Sequence, residues 1–529
     1  MRSGFRGILA LLLLAGGLAA RAAPGEVWVD ARWNGPANCG GHTWQVDAFP
    51  SIHAALKAAA PGGVVTVAPG RYIERLTIEK SVILRGPGAG VNPNAPTAED
   101  PFAANPARGD PAREAMLFPP DTKLHITEGF LITIQADRVM IDGFTLDGDN
   151  PALKDGVAVN GVDANAAAGI GRKDGHNQEI ILTHNILRNF TAAGIYFQNK
   201  DQSIPLLQQN IIAYNRIDNL PVNATVFDAD EYPPTQCAGI SLDQELYQVL
   251  GNTVTRAAVG INLRWITQGN PPLMTPEISS NALQCYITGI SCGLFSDRHI
   301  KGNLCPTSPR AMLSHNRIHI VPEGPTRLIR TGISVTSVEH TSKVLMSDND
   351  LSGGDAGVFV WGSFSFDAGN TVILGGTIRD AKYGVWISNY YDKLPYPVDP
   401  TKVILSGVTI LNPTVAGIYL DDNARGAVEV SAVIMHDTTF RGGPTGVLVQ
   451  GERALVTFLP GGAGAANFDG QTKSYIALQG NGSTFPRSIE ISAVRFQGKR
   501  RGEMTAEEQA ALETRLIDQL DDKRLGRLY

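Results

Sequence analysis

A chain of 529 residues with 57 glycines, 7% aromatic and 18% charged residues is long enough to bury a core unaided, and this composition favours a turn-rich β protein over a helical one. The net charge of −6 argues against nucleic acid or an anionic membrane as a whole-surface partner. The five cysteines, Cys39, Cys237, Cys285, Cys292 and Cys305, include no C-x-x-C pair and so do not suggest zinc. Their odd count leaves at least one thiol over, and an oxidising compartment would permit a bridge such as Cys292 to Cys305.

The chain opens with Arg2 and Arg6, an apolar run from Ile8 to Ala15, and Ala20-Arg21-Ala22 as an A-x-A cleavage site. Residues 1–22 therefore read as a cleavable export signal, which predicts a secreted or periplasmic protein; the run is too short to span a bilayer. Removal would take away three arginines and no acid, moving the net charge to −9. No later stretch is long and apolar enough to cross a membrane.

Three short β-rich runs follow in Val65 to Gly86, "VTVAPGRYIERLTIEKSVILRG", with no hairpin signal between them. Residues 88–120 are rich in Pro, Ala and Asn without a period, so they read as an excursion, as do loops at 201–237 and 390–400. From there the chain repeats itself. The phrase small-Gly-Ile/Val-x-apolar recurs at Gly194, Gly239, Gly260, Gly289 and Gly332, then at Gly357, Gly384, Gly417 and Gly446. An asparagine phrase accompanies several of these coils, at Asn185, Asn252, Asn281, Asn316 and Asn349.

Two short strands and a turn per repeat, with no helical pattern between, is the mark of a β-solenoid. Alternation sends Gly+1 and Gly+3 into a shared lumen and Gly+2 and Gly+4 outward. The glycine is expected at a bend or a left-handed corner where the next coil passes closely, and the asparagines at left-handed turns that bond from coil to coil.

Two passages carry a resemblance. Phe49 to Gly86, "FPSIHAALKAAAPGGVVTVAPGRYIERLTIEKSVILRG", resembles the N-terminal opening of the pectin-lyase-like right-handed parallel β-helix proteins, and "VMIDGFTLDGDN" from Val139 is similar to one of their early coils. The resemblance implies an all-β fold: a single right-handed parallel β-helix over residues 45–500 with an N-terminal capping helix. It does not fix an activity, because that group includes lyases, hydrolases, esterases, epimerases and non-catalytic adhesins. The mannuronan epimerase, pectate lyase, polygalacturonase and pectin methylesterase motifs are absent from the sequence.

The tail, residues 503–529, is expected to be a helical segment. Thr505 and Glu508 form a capping box, and Leu512, Leu516, Ile517 and Leu520 share one face of an amphipathic helix of about four to five turns that would cover the last coil.

Two groups of outward positions could do chemistry. Phe359, Trp361, Trp386 and Tyr419 line up on adjacent coils near Tyr390, Tyr391, Asp421 and Asp422. Rings stack on the apolar faces of sugars and acids accept hydroxyl hydrogen bonds, so the strip suits a polysaccharide or surface glycan. Upstream, Asp243, Glu245 and Arg264 fall together. Two carboxylates could serve as acid and base in glycoside hydrolysis, or hold Ca²⁺ while Arg264 meets an acidic sugar in a lyase-like arrangement. The ordinary readings, packed rings and an Asp243–Arg264 salt bridge, stand beside these, as does a non-catalytic adhesin or scaffold.

Overall fold

The computed structural model describes residues 25–172, 177–198, 210–221, 237–243, 247–267, 275–296, 310–323, 328–337, 343–361, 370–388, 402–421, 432–450, 455–459, 466–479 and 491–519. Residues 1–22, read above as an export signal, lie outside them, as do Glu245, Tyr390, Tyr391, Asp422, Cys305, residues 201–209 and 222–236, and all of 390–400; within the expected 201–237 loop, Asn210–Ala213 and Arg216–Asp218 are strands of the solenoid.

The chain winds as a right-handed parallel β-helix with three faces. Face A is a fifteen-stranded sheet from Ala48–Phe49 at one edge to Leu455–Phe458 at the other, and it includes Gly63–Val67 and Val82–Arg85. The runs that lacked a hairpin signal thus pair in parallel across coils, Val64 beside Ile83 and Val65 beside Leu84. Face B consists of the short strands after the asparagine phrase, such as Ile186–Arg188 and Arg216–Asp218. Face C consists of the glycine-phrase strands, such as Tyr383–Ser388 and Ala416–Asp421. Faces B and C merge in two coils, where Thr253–Thr267 and Ala282–Ser296 run through the corner as single strands.

The lumen is the core. Ile195 and Phe197, Ile333 and Val335, Ile418 and Leu420, each a Gly+1/Gly+3 pair, are buried in one continuous cluster running the length of the chain. Cys292 sits there too, as a free thiol, because the Gly+3 position aims its sulfur inward; Cys305, named above as a partner it could bridge to, lies outside the described residues. Burial pushes the Cys292 thiol up to about 12.

The glycine column works by contact rather than by left-handed geometry. Gly384 has an ordinary φ, but a Cβ there would lie 2.5 Å from the carbonyl oxygen of Gly417 on the next coil and 2.6 Å from Ile410 Cγ2. At the asparagine corner it is the residue one position before each asparagine that is left-handed: His184 (φ 53°), Tyr214 (57°), Gly251 (63°), Ser280 (59°), His315 (55°) and Asp348 (52°). That turn points the following side chain inward, where Asn185, Asn215, Asn252, Asn281, Asn316 and Asn349 form a buried ladder. Each Nδ2 donates to the next Oδ1 at 3.0–3.1 Å, and Asn281 Nδ2 also donates to Val249 O at 2.9 Å.

The 88–120 excursion is pinned to the solenoid. Arg108 pairs with Glu114 at 2.7 Å, both almost fully buried, and also donates to the carbonyls of Val91 and His184. A helix at Ile52–Ala58, with the Ser51 hydroxyl accepting from Ala54 N–H, buries Ile52, Ala55 and Leu56 against the first strands. At the other end the Thr505–Glu508 capping box forms, with N–H donors satisfied at 2.8 and 3.2 Å. The helix spans Ala506–Leu516, shorter than expected, because Ile517–Gln519 leaves it to pair as a strand with Ser474–Gln479 on face C.

Candidate functional site

Face C presents two outward columns, and the backbone register defines both. The Gly+2 column runs Tyr196, Ser241, Asn262, Ser291, Ser334, and then Phe359, Trp386, Tyr419, Leu448. It is thus polar upstream and aromatic downstream. At the Gly+4 position the backbone of Asp243 lies in register beside that of Arg264 on the next coil, and Trp361, Ser388 and Asp421 follow further along. Three coil steps, about 14 Å at parallel-strand spacing, separate Arg264 from Trp361. The two groups of candidate residues therefore share one face of the solenoid.

The aromatic end is a packed cluster. Trp386 lies edge-on to Phe359 with ring centres 5.1 Å apart and tilted against Tyr419 at 5.5 Å. Tyr383 stacks on Tyr419 at 4.5 Å and meets Trp386 edge-on at 5.3 Å. The sequence reading missed Tyr383. The signal was there: it is the one aromatic immediately before a repeat glycine, where Ala193, Ala356 and Ala416 stand in other coils. Phe359, Tyr383 and Tyr419 are buried and Trp386 is half-buried. Part of the strip is therefore ordinary packing.

Polar groups in this cluster are not all satisfied internally. The Tyr419 hydroxyl donates to Gln450 Oε1, while Trp386 Nε1 is shielded from solvent and has no acceptor among the described residues. An orphaned buried donor costs about 1–3 kcal/mol, so it is uncommon outside sites that receive a water or a ligand. Burial raises the Tyr419 and Tyr383 hydroxyls above the usual tyrosine range, and the neighbouring charge of Asp421 raises them further. Both rings are neutral hydrogen-bonding groups across the physiological range. Lys382 Nζ lies 5.2 Å from the Tyr383 ring centre.

Among the described residues no group of three or more His, Cys, Asp or Glu is arranged to hold a metal ion, and no helix is long and apolar enough to cross a membrane.

No protein-family model and no curated protein matches the chain. Solved structures do. The A-module of an Azotobacter vinelandii mannuronan C-5 epimerase aligns at 15% identity and TM-score 0.49, covering 77% of this chain and 94% of that one. A polygalacturonase from Erwinia carotovora ssp. carotovora aligns at 12% identity and TM-score 0.31, covering 90% and 98%. The tailspike of an E. coli bacteriophage, a mutant solved with a hexasaccharide, aligns at 11% and 0.38, covering 86% and 67%. The fold itself, a parallel β-helix, stands on the chain's own strand pairing. These neighbours are named for acting on or binding polysaccharides; at such identities the likeness concerns the fold.

Proposed function

We propose that this chain is an exported protein that holds a polysaccharide along face C. The half-buried ring of Trp386, backed by the buried rings of Phe359 and Tyr419 and extended by Trp361, Tyr390 and Tyr391, would stack on sugar faces, while Asp421 and Asp422 would accept hydroxyl hydrogen bonds. The observation that carries this reading is the Trp386 indole: half-buried in a cluster of rings, with an N–H that no described residue satisfies and that a sugar hydroxyl could.

Cleavage is a second reading, supported by the backbone register that brings Asp243 and Arg264 to neighbouring coils at the same offset. A glycan threaded over the aromatic strip would extend upstream across that pair. There Asp243 and Glu245 would act as acid and base, and Arg264 would stabilise developing negative charge or bind an acidic sugar.

One experiment separates the two. A panel of neutral and acidic glycans is assayed for retention and for product, with wild type beside Trp386→Ala and Asp243→Asn. Retention lost in Trp386→Ala supports glycan binding at the strip. Product that disappears in Asp243→Asn, with retention intact, adds cleavage. No retention of any glycan by wild type would sink the reading.

A further inference from the structure

Face A carries its own outward column. Parallel pairing stacks Val64, Ile83, Met140, Ile181 and Ile211 on five consecutive coils. Gln248 and Glu277 follow, and then Met312, Leu345, Val372, Ile404 and Ile434. Glu26 stands at one end of the column and Thr457 at the other. Every member from Val64 onward keeps partial exposure, Met312 reaching 41% and Leu374 beside the column 38%. A solvated sheet face should alternate apolar inward with polar outward. Here the outward column is aliphatic.

The order of these residues reads the same from both ends: polar, five apolar, two polar, five apolar, polar. A surface that matches itself on reversal is what an isologous two-fold interface requires. We infer that face A is the contact surface of a homodimer in which two solenoids lie antiparallel, related by an axis in the plane of the interface that passes between Gln248 and Glu277. Ile211 then faces Met312 of the second copy, Ile83 faces Ile404, and Glu277 meets Gln248, an acceptor against an amide donor. Parallel stacking would instead set Glu277 against Glu277 at the centre. A lipid surface would gain nothing from a carboxylate and an amide at the middle of the ridge.

The area suffices. Thirteen coil steps at about 4.8 Å give a ridge about 60 Å long, and a strand width of about 15 Å makes roughly 900 Å² per copy. A stable interface of standard size buries about 800 Å² per partner.

The test uses the full chain in sedimentation equilibrium across a wide concentration range. Wild type should show twice the chain mass, and Ile404→Lys, on the ridge, should weaken association on the order of 100-fold with unchanged circular dichroism. Ile211→Cys and Met312→Cys should form an intermolecular disulfide when mixed, well above wild type under the same oxidant, and neither should do so alone. Three results would overturn the assignment: a monomeric wild type, an Ile404→Lys dimer as tight as wild type, or either cysteine variant cross-linking with itself. A monomer that floats with neutral-lipid vesicles would assign the ridge to a membrane surface and overturn it too.

Discussion

Replacing Trp386 by phenylalanine separates the two roles of that side chain. The change keeps a ring against Phe359, Tyr383 and Tyr419 and deletes an N–H that has no partner. It removes roughly 40 Å³, worth at most about 1 kcal/mol at about 24 cal/mol per Å³ of residual cavity. Losing the orphaned donor returns about 1–3 kcal/mol. Trp386→Phe should therefore be as stable as wild type or up to about 2 kcal/mol more stable in urea denaturation. Trp386→Ala gives up three ring contacts worth about 0.5–1.5 kcal/mol each and should lose about 2–4 kcal/mol. Glycan affinity should move the other way: Trp386→Phe forfeits one hydrogen bond and should bind about three- to tenfold more weakly. A stability loss above about 1 kcal/mol in Trp386→Phe would mean that the indole N–H is already satisfied and would refute the argument.

The remaining predictions concern the scaffold. Asn281→Ala strips a buried rung, orphaning Asn252 N–H and Val249 C=O, and should cost about 3–5 kcal/mol by chemical denaturation; a loss near zero would show that the ladder is ornamental. Gly384→Ala forces a methyl to 2.5 Å from Gly417 O and should lower the melting temperature by several degrees, whereas Gly502→Ala, with nothing within 4 Å, should not. Cys237 and Cys292, both buried with thiols pushed up to about 12, should resist alkylation at pH 8 until the chain is unfolded, as read by mass spectrometry. Burial raises the carboxyl of Asp218, but bonds from Arg256 and Thr255 outweigh it and hold it below the usual carboxylate range. Its stabilisation is therefore complete above the unfolded carboxyl value and fades as pH falls through the folded one. Asp218→Asn should flatten the acid limb of the stability–pH curve.

The repeat made the coils legible: Gly+1 and Gly+3 enter the lumen, Gly+2 and Gly+4 face out, and that register alone placed Phe359, Trp386 and Tyr419 in one column. What escaped depended on bends rather than alternation. The left-handed turn belongs to the residue before each asparagine, a position where His, Tyr, Ser, Asp and Gly all occur, so no residue type announces it. Tyr383 escaped because strict alternation sends Gly−1 inward, yet the glycine bend swings it toward Trp386. Arg108 and Glu114 came from a stretch without a period; their burial as a pair, together with the strand Ala115–Phe118 laid beside Gly70–Ile73, makes the 88–120 segment part of the body. The Asp243–Arg264 neighbourhood was readable because both hang from the same repeat offset.

The asparagine ladder stops at Asn349. Downstream, the same corner carries Gly376, Val408 and Thr438, whose coils hold together through lumen side chains and main-chain ladders. Apolar cohesion fades on cooling, whereas a dry lattice of amide bonds does not. The rod is thus a bimetallic strip in thermal terms: chilling should loosen the C-terminal coils, where the aromatic strip lies, before it touches the half that Asn185 to Asn349 bind together.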